Sequence, residues 1–182
     1  MTTRTGAWRT LTAGELAAEP DARFGGEISV LFFAALFALT PLAFLAVSGA
    51  RDPQGTTWVL LMLLRQGFGG DLKSAYVASS IVQMLTLLVW AATFVAVTLA
   101  RARSGPTITA VEFAIAALVG PVGQYAIAAV SIGGIGGLYQ AGAQLPHMVV
   151  NLVAAVTFWA YMRECRRPNL YFRNRVRVAT SL

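Results

Sequence analysis

From Ile28 to Ala50 the chain reads ISVLFFAALFALTPLAFLAVSGA, with no charged residue and one proline, Pro41. An uncharged run longer than about 18 residues can cross a hydrocarbon core of roughly 30 Å as a helix. It must be helical there, because lipid offers no partner to backbone N–H and C=O groups. Proline lacks the amide that would reach the carbonyl four residues back, but neighbouring helices and side chains re-satisfy that carbonyl in spanning helices. The run therefore predicts a crossing that kinks at Pro41 and does not break.

Three further blocks follow. Ala75 to Ala100 is bounded by Lys73 on one side and by Arg101 and Arg103 on the other. Ser104-Gly105-Pro106 then stops one helix and starts the next, since proline suits a first turn. The third crossing is expected over residues 107–132, bent at Gly120-Pro121, and the fourth over residues 146–162. The fourth is short, but Trp159 and Tyr161 followed by Arg163, Arg166 and Arg167 form an aromatic and basic interface anchor. Only 12% of the 182 residues are charged and 57% are apolar, whereas soluble chains carry roughly a quarter charged residues. The fold class is all-α, a polytopic membrane protein with four transmembrane helices. The run from Trp58 to Leu64 is ended by Arg65 and a glycine cluster, well short of the roughly 20 residues a crossing needs. It is read as an interfacial or re-entrant half-helix.

Lysine and arginine set orientation. The segment 1–27, the loop at Arg101 and Arg103, and the tail 163–182 hold 11 of them, and the opposite side holds 3 (Arg51, Arg65 and Lys73). Both termini of the membrane domain, residues 28–162, are expected on the cytoplasmic side of an inner (plasma) membrane. A cleavable signal peptide is the competing reading of the first helix. Its polar lead of about 27 residues and apolar core of about 19 are longer than such peptides carry. Within the first segment, Thr12-Ala13-Gly14-Glu15 matches a capping box and predicts a short surface helix around residues 12–19.

Polar residues inside the crossings are informative because each is costly unless it faces protein or water. Ser79, Gln83, Thr86, Trp90 and Thr93 recur at spacings of four, three, four and three, which places them on one inward face. Gln140, Gln144, His147 and Asn151 repeat the pattern into the fourth helix. At roughly 1.5 Å per residue, Gln83 falls near mid-membrane and Gln124, His147 and Asn151 in the outer half. With Glu112, these form a candidate intramembrane polar site: Gln83, Glu112, Gln124, His147 and Asn151. The alternative, favoured here, is interhelical hydrogen bonding at about 0.6 kcal/mol per group. Glu112 is the one acidic residue in a predicted crossing. It is read first as an ion pair with Arg101 or Arg103 and second as a proton or cation site. Ala116, Gly120 and Gly123 form a small-residue stripe for close helix contact.

His147 is the only histidine and Cys165 the only cysteine, so neither a bis-histidine haem nor a usual zinc set can be built within one chain. No cofactor, metal or catalytic residue is expected, and no disulfide framework. Gly133-Gly134-Ile135-Gly136-Gly137 lacks the lysine and the strand-to-helix context of a phosphate loop and reads as a flexible turn.

The tail is expected to meet anionic lipid and not nucleic acid. Trp159 and Tyr161 would sit at headgroup level, followed by Arg163, Arg166, Arg167, Arg173, Arg175 and Arg177, each worth about 1 kcal/mol near an anionic leaflet. Pro168 would end the helix, and Tyr171 and Phe172 would dip into the surface. This ending, with Trp159, Tyr171-Phe172 and Arg175-Val176-Arg177, and the pair Gly25-Gly26 before the first helix, resembles a family of small, uncharacterised four-helix bacterial inner-membrane proteins. The insertion RECRRPNL separates helix and aromatic pair here. The resemblance implies a four-helix inner-membrane protein and no activity.

Three functions fit these features. The first is a non-catalytic accessory or assembly subunit of a membrane complex, with a membrane protein partner or a second copy of the chain. The second is a small oligomeric transporter or channel using the polar site. The third is an intramembrane enzyme or a lipid- or quinone-binding protein.

Overall fold

A computed structural model describes residues 7–52, 54–55, 65, 72–131 and 134–178. The elements run β1 (Trp8–Thr10), α1 (Ala13–Ala18), a 3-10 turn (Pro20–Ala22), α2 (Gly26–Ala38), α3 (Thr40–Arg51), α4 (Leu72–Ala100), α5 (Gly105–Ser131), α6 (Gly134–Glu164), α7 (Arg166–Arg173) and β2 (Arg175–Arg177). Four stretches are long and apolar enough to cross a membrane: Pro20–Phe44, Ala75–Ala100, Gly105–Ala129 and Leu145–Glu164. Their outward surface is apolar, with Phe33, Phe37, Phe44, Val89, Leu99, Val150 and Val153 all exposed. That is the inverse of a soluble protein and suits lipid. The run from Trp58 to Leu64 lies outside the described residues.

Pro41 stands in the first turn of α3, two residues past a joint at Leu39 that keeps right-handed helical angles. The missing Pro41 amide would have reached Phe37 O, and the hydroxyl of Thr40 donates to that carbonyl at 2.8 Å. The first apolar stretch is thus two short helices in sequence, with the freed acceptor satisfied by the residue beside the proline.

Helix α5 packs against both α4 and α6, and α2 packs against α4. The core lies toward one end of the bundle. Trp90, Phe113 and Phe158 meet with centroids 4.7 to 5.8 Å apart, and Ile28, Phe94, Met162, Tyr171 and Phe172 join them. Helix α4 ends on Arg101 in the left-handed region (φ 48). Ala102 N bonds Val97 O and Arg101 N bonds Thr98 O, the paired closure of a Schellman turn.

Two expectations need correction. The first is the glycine stretch: α6 is helical from Gly134, with Pro146 inside it, and its apolar part, Leu145–Glu164, lies close to the expected 146–162. The described part of the 133–137 glycine stretch is therefore helix and not a turn. A glycine costs a helix about 1 kcal/mol, but in an apolar setting helix is the backbone's way to satisfy itself.

Nor does Pro168 end a helix. Helix α6 stops at Glu164, the chain turns at Cys165, and Pro168 sits in the first turn of α7, where its absent amide has no helical acceptor to lose. Tyr171 and Phe172 are 5% and 1% exposed. They fill the bundle's own core and do not dip into the membrane surface.

Both described chain ends lie at the same end of the bundle. Strands β1 and β2 pair antiparallel, Trp8 opposite Arg177 and Thr10 opposite Arg175. The capping box forms as expected, with Glu15 N donating to Thr12 Oγ1 and Thr12 N donating to the Glu15 carboxylate at 2.9 Å. The turn at Arg101–Ser104 reaches the same end, where Arg173 Nε donates to Arg103 O at 3.4 Å.

Candidate functional site

The inward face of α4 is the predicted one. Ser79 Oγ donates to Gly120 O at 3.1 Å, and a Cβ on Gly120 would collide with the Gln83 side chain. A Cβ on Gly123 would lie 2.6 Å from Ser79 Oγ. The small-residue stripe of α5 is therefore the seat of the α4 polar residues, and close approach and hydrogen bonding occur together. Gln124 Nε2 donates to Ser80 Oγ at 3.3 Å along the same seam. Thr86 turns its hydroxyl back to Gln83 O at 2.8 Å.

Glu112 pairs with neither Arg101 nor Arg103. Its Oε1 accepts from Thr93 Oγ1 at 3.2 Å, and its Oε2 is buried without a partner. The Glu112 side chain is one wall of a groove of about 280 Å³ on the outer side of α4 and α5, lined also by Val82, Leu85, Thr86, Val89 and Ile115. Val82, Leu85, Val89 and Ile115 are exposed, so the groove opens on the apolar face of the bundle.

Among the described residues no hydrogen bond joins all five candidate polar residues. Gln83 and Gln124 lie on the α4–α5 seam, and Glu112 lies on the same pair of helices bonded to Thr93. His147 is exposed on α6, where Asn151 Nδ2 donates to His147 O at 2.8 Å within that helix. Among the described residues no group of three or more His, Cys, Asp or Glu could hold a metal ion.

At the end that carries both described chain ends the arginines are built into the fold. Arg166 pairs with Glu19 at 2.8 Å, Arg167 with Asp21 at 3.2 Å and Glu27 at 3.3 Å, and Arg177 with Glu164. Arg163 shares Glu164 at 3.3 Å. Gly26 has φ +55, a conformation that favours glycine, and a Cβ there would displace the flexible end of Arg167. Arg175 and Arg177 flank the Trp8 ring, 4.5 and 5.0 Å from its centroid. Arg173 Nη2 donates to Thr107 Oγ1 at 2.9 Å. Trp159 is partly exposed, whereas Tyr161 is half-buried against the core with its hydroxyl unpartnered.

Sequence reasoning missed Asn169, which is completely buried. Its Nδ2 donates to Arg163 O and Cys165 O, both at 2.8 Å, closing the end of α6. Its Oδ1 accepts from Arg173 and Arg175 at 3.2 and 2.9 Å. An asparagine after a proline in a basic stretch gives no signal of this, since its partners are carbonyls of the preceding helix.

Outside the spans, three groups are shifted. The Thr12 backbone amide, then Arg9 and the Thr12 hydroxyl, hold the Glu15 carboxyl below its ordinary value. Burial first, then Glu27 and Glu164, pushes the Cys165 thiol up. Burial, then the charges of Arg175 and Arg163, lowers the basicity of Arg173.

Comparison with protein-family models, with curated proteins and with solved structures finds no match to this chain. The residues of the family-like ending nonetheless share a place. Gly26 receives Arg167, Tyr171 and Phe172 fill the core, and Arg175 to Arg177 form β2. All of them build the closed end of the bundle.

Proposed function

We propose that this protein is a non-catalytic accessory or assembly subunit of a complex in a bacterial inner membrane, with both termini cytoplasmic. The observation that supports it is Glu112. A carboxyl oxygen buried without a partner costs about 1–3 kcal/mol, and the side chain that carries it lines an apolar groove on the outward face of the bundle. Ionisable groups at such depth pair with another protein group or line a pathway. A transmembrane helix from a partner, laying apolar side chains against Leu85 and Val89 and offering a donor to Glu112, satisfies both groove and carboxyl at once.

The test is photo-crosslinking in native membranes from Leu85 and Val89, with Val150 and Val153 on α6 as controls, followed by mass spectrometry. One defined partner captured from the groove positions and not from the controls is expected. Capture of lipid alone, with the protein isolated as a monomer in mild detergent, removes the proposal.

A small oligomeric transporter is the second reading. It is favoured by the polar groups that share the α4–α5 pair of helices, Ser79, Gln83 and Gln124 on the seam and Thr93 with Glu112. Crosslinking of the groove to a second copy of this chain, with flux in proteoliposomes lost in Glu112→Gln, would select it.

A further inference from the structure

The basic residues of the tail divide by their partners. Arg166, Arg167 and Arg177 each have a carboxylate. Among the described residues Arg173 and Arg175 form no ion pair, and Arg163 has only the Glu164 that it shares with Arg177. These three less compensated guanidinium groups line one cleft of about 180 Å³, with Thr107, Trp159 and Met162 among its other walls. Like charges gathered in this way repel, and the lowered basicity of Arg173 registers the charges of Arg175 and Arg163 beside its own burial.

We propose that this cleft binds a phosphate group, as the headgroup phosphate of an anionic lipid or as a soluble phosphate, through Arg163, Arg173 and Arg175.

Arg173 and Arg175 are already held in place. Arg173 is fixed by Thr107 Oγ1, Arg103 O and Asn169 Oδ1, and Arg175 by the same Asn169 oxygen and by the Trp8 ring. Little side-chain entropy remains to be lost on binding, and planar guanidinium groups suit the oxygens of a phosphate. The first turn of α5, with Pro106 and Thr107, forms another wall and turns the positive end of its dipole to the site. Depth favours the lipid source. Trp159 and Met162 belong to the last turns of the span Leu145–Glu164, and Ile108 and Val111 present exposed apolar surface on the adjoining helix, where acyl chains can lie beneath a bound headgroup.

The test is native mass spectrometry of the full-length protein in mild detergent, titrated separately with phosphatidylglycerol, phosphatidylcholine and inorganic phosphate. Retention of phosphatidylglycerol over phosphatidylcholine is expected, weakened about fivefold for each arginine removed in Arg163→Gln, Arg173→Gln and Arg175→Gln. Arg166→Gln, whose side chain serves Glu19, should bind as the parent does. Arg163→Gln leaves the Asn169 bonds intact, so it carries the test even where the other two fail to fold. Binding of inorganic phosphate with the same arginine dependence and no lipid preference assigns the site to a soluble phosphate. Equal retention of both lipids with no phosphate binding, or full binding by Arg163→Gln, overturns the proposal.

Discussion

The hydroxyl of Tyr171 donates to Thr98 O at 2.9 Å, tying the tail of the chain to the last turn of α4 from within the core. Arg101 lies over the same ring, 4.8 Å from its centroid. Tyr171→Phe keeps the ring and removes one of the two donors to that carbonyl, leaving the Arg101 amide, so a loss of about 1 kcal/mol is expected. Tyr171→Ala empties core volume as well and should cost about 3–5 kcal/mol, as large aromatic truncations do. Denaturant unfolding in detergent separates the two. Equal, negligible losses would return Tyr171 to the lipid surface.

Asn169 closes α6 and holds two arginines at once. Asn169→Ala leaves several buried partners unmet at about 1–3 kcal/mol each, and the α7–β2 segment should open. Limited trypsin digestion reads this directly, since Arg173 and Arg175 would become cleavable in the variant before the bundle unfolds.

Gly120 and Gln83 occupy each other's space. A Cβ on Gly120 would stand 2.8 Å from Gln83 Cβ, too near the backbone of α4 for a rotamer change to relieve. Gly120→Ala should cost about 1–3 kcal/mol by overpacking. Adding Gln83→Ala should recover much of it, and strictly additive losses in the double-mutant cycle would deny the contact.

Thr40 stands in for the amide that Pro41 lacks. Thr40→Val should destabilise by roughly 0.6 kcal/mol, the average for such bonds in membrane helices. In Thr40→Val/Pro41→Ala a backbone amide reaches Phe37 O instead, and stability should return. Thermal unfolding of the pair checks it.

Two titrations report on the end that carries both described chain ends. Glu15 has a depressed folded value, so its support of α1 is present above the ordinary 4.5 and is lost as pH falls through the lower folded value. Amide exchange over Ala13–Ala18 should quicken there. Cys165 is exposed, and its thiol is raised from 9.0, chiefly by burial. Its alkylation should therefore be slow at neutral pH and accelerate as pH rises. As the only cysteine, it also reports topology. With a membrane-impermeant maleimide, cells should label only after permeabilisation, and labelling of intact cells would reverse the proposed orientation.

The helices were legible because their causes are local: uncharged runs, the Ser104-Gly105-Pro106 break and the Thr12 capping box each act within a few residues. The α4 face was legible for the same reason, since spacing alone places Ser79, Gln83 and Thr93 together. The tail was not. Tyr171, Phe172 and Asn169 sit among arginines, and hydropathy reads that pattern as an interface. Their partners, Thr98 O, Gly105 and Arg163 O, become neighbours only through the fold. Glu112 was misread similarly: Arg101 and Arg103 lay near in sequence, but the hydroxyl within reach is that of Thr93, across the turn.

The pairing of β1 with β2 also sets an order in time. Trp8 precedes the four apolar stretches in the chain, and the groups that flank it, Arg175 and Arg177, follow them. The bundle's closed end, with Arg167 against Gly26 and Tyr171 beneath Arg101, can be completed only after all four apolar stretches have left the ribosome. Until then, the aromatic pair and its arginines have no seat. The carboxyl-terminal segment is thus the latch of the molecule, fastened after the rest is in place.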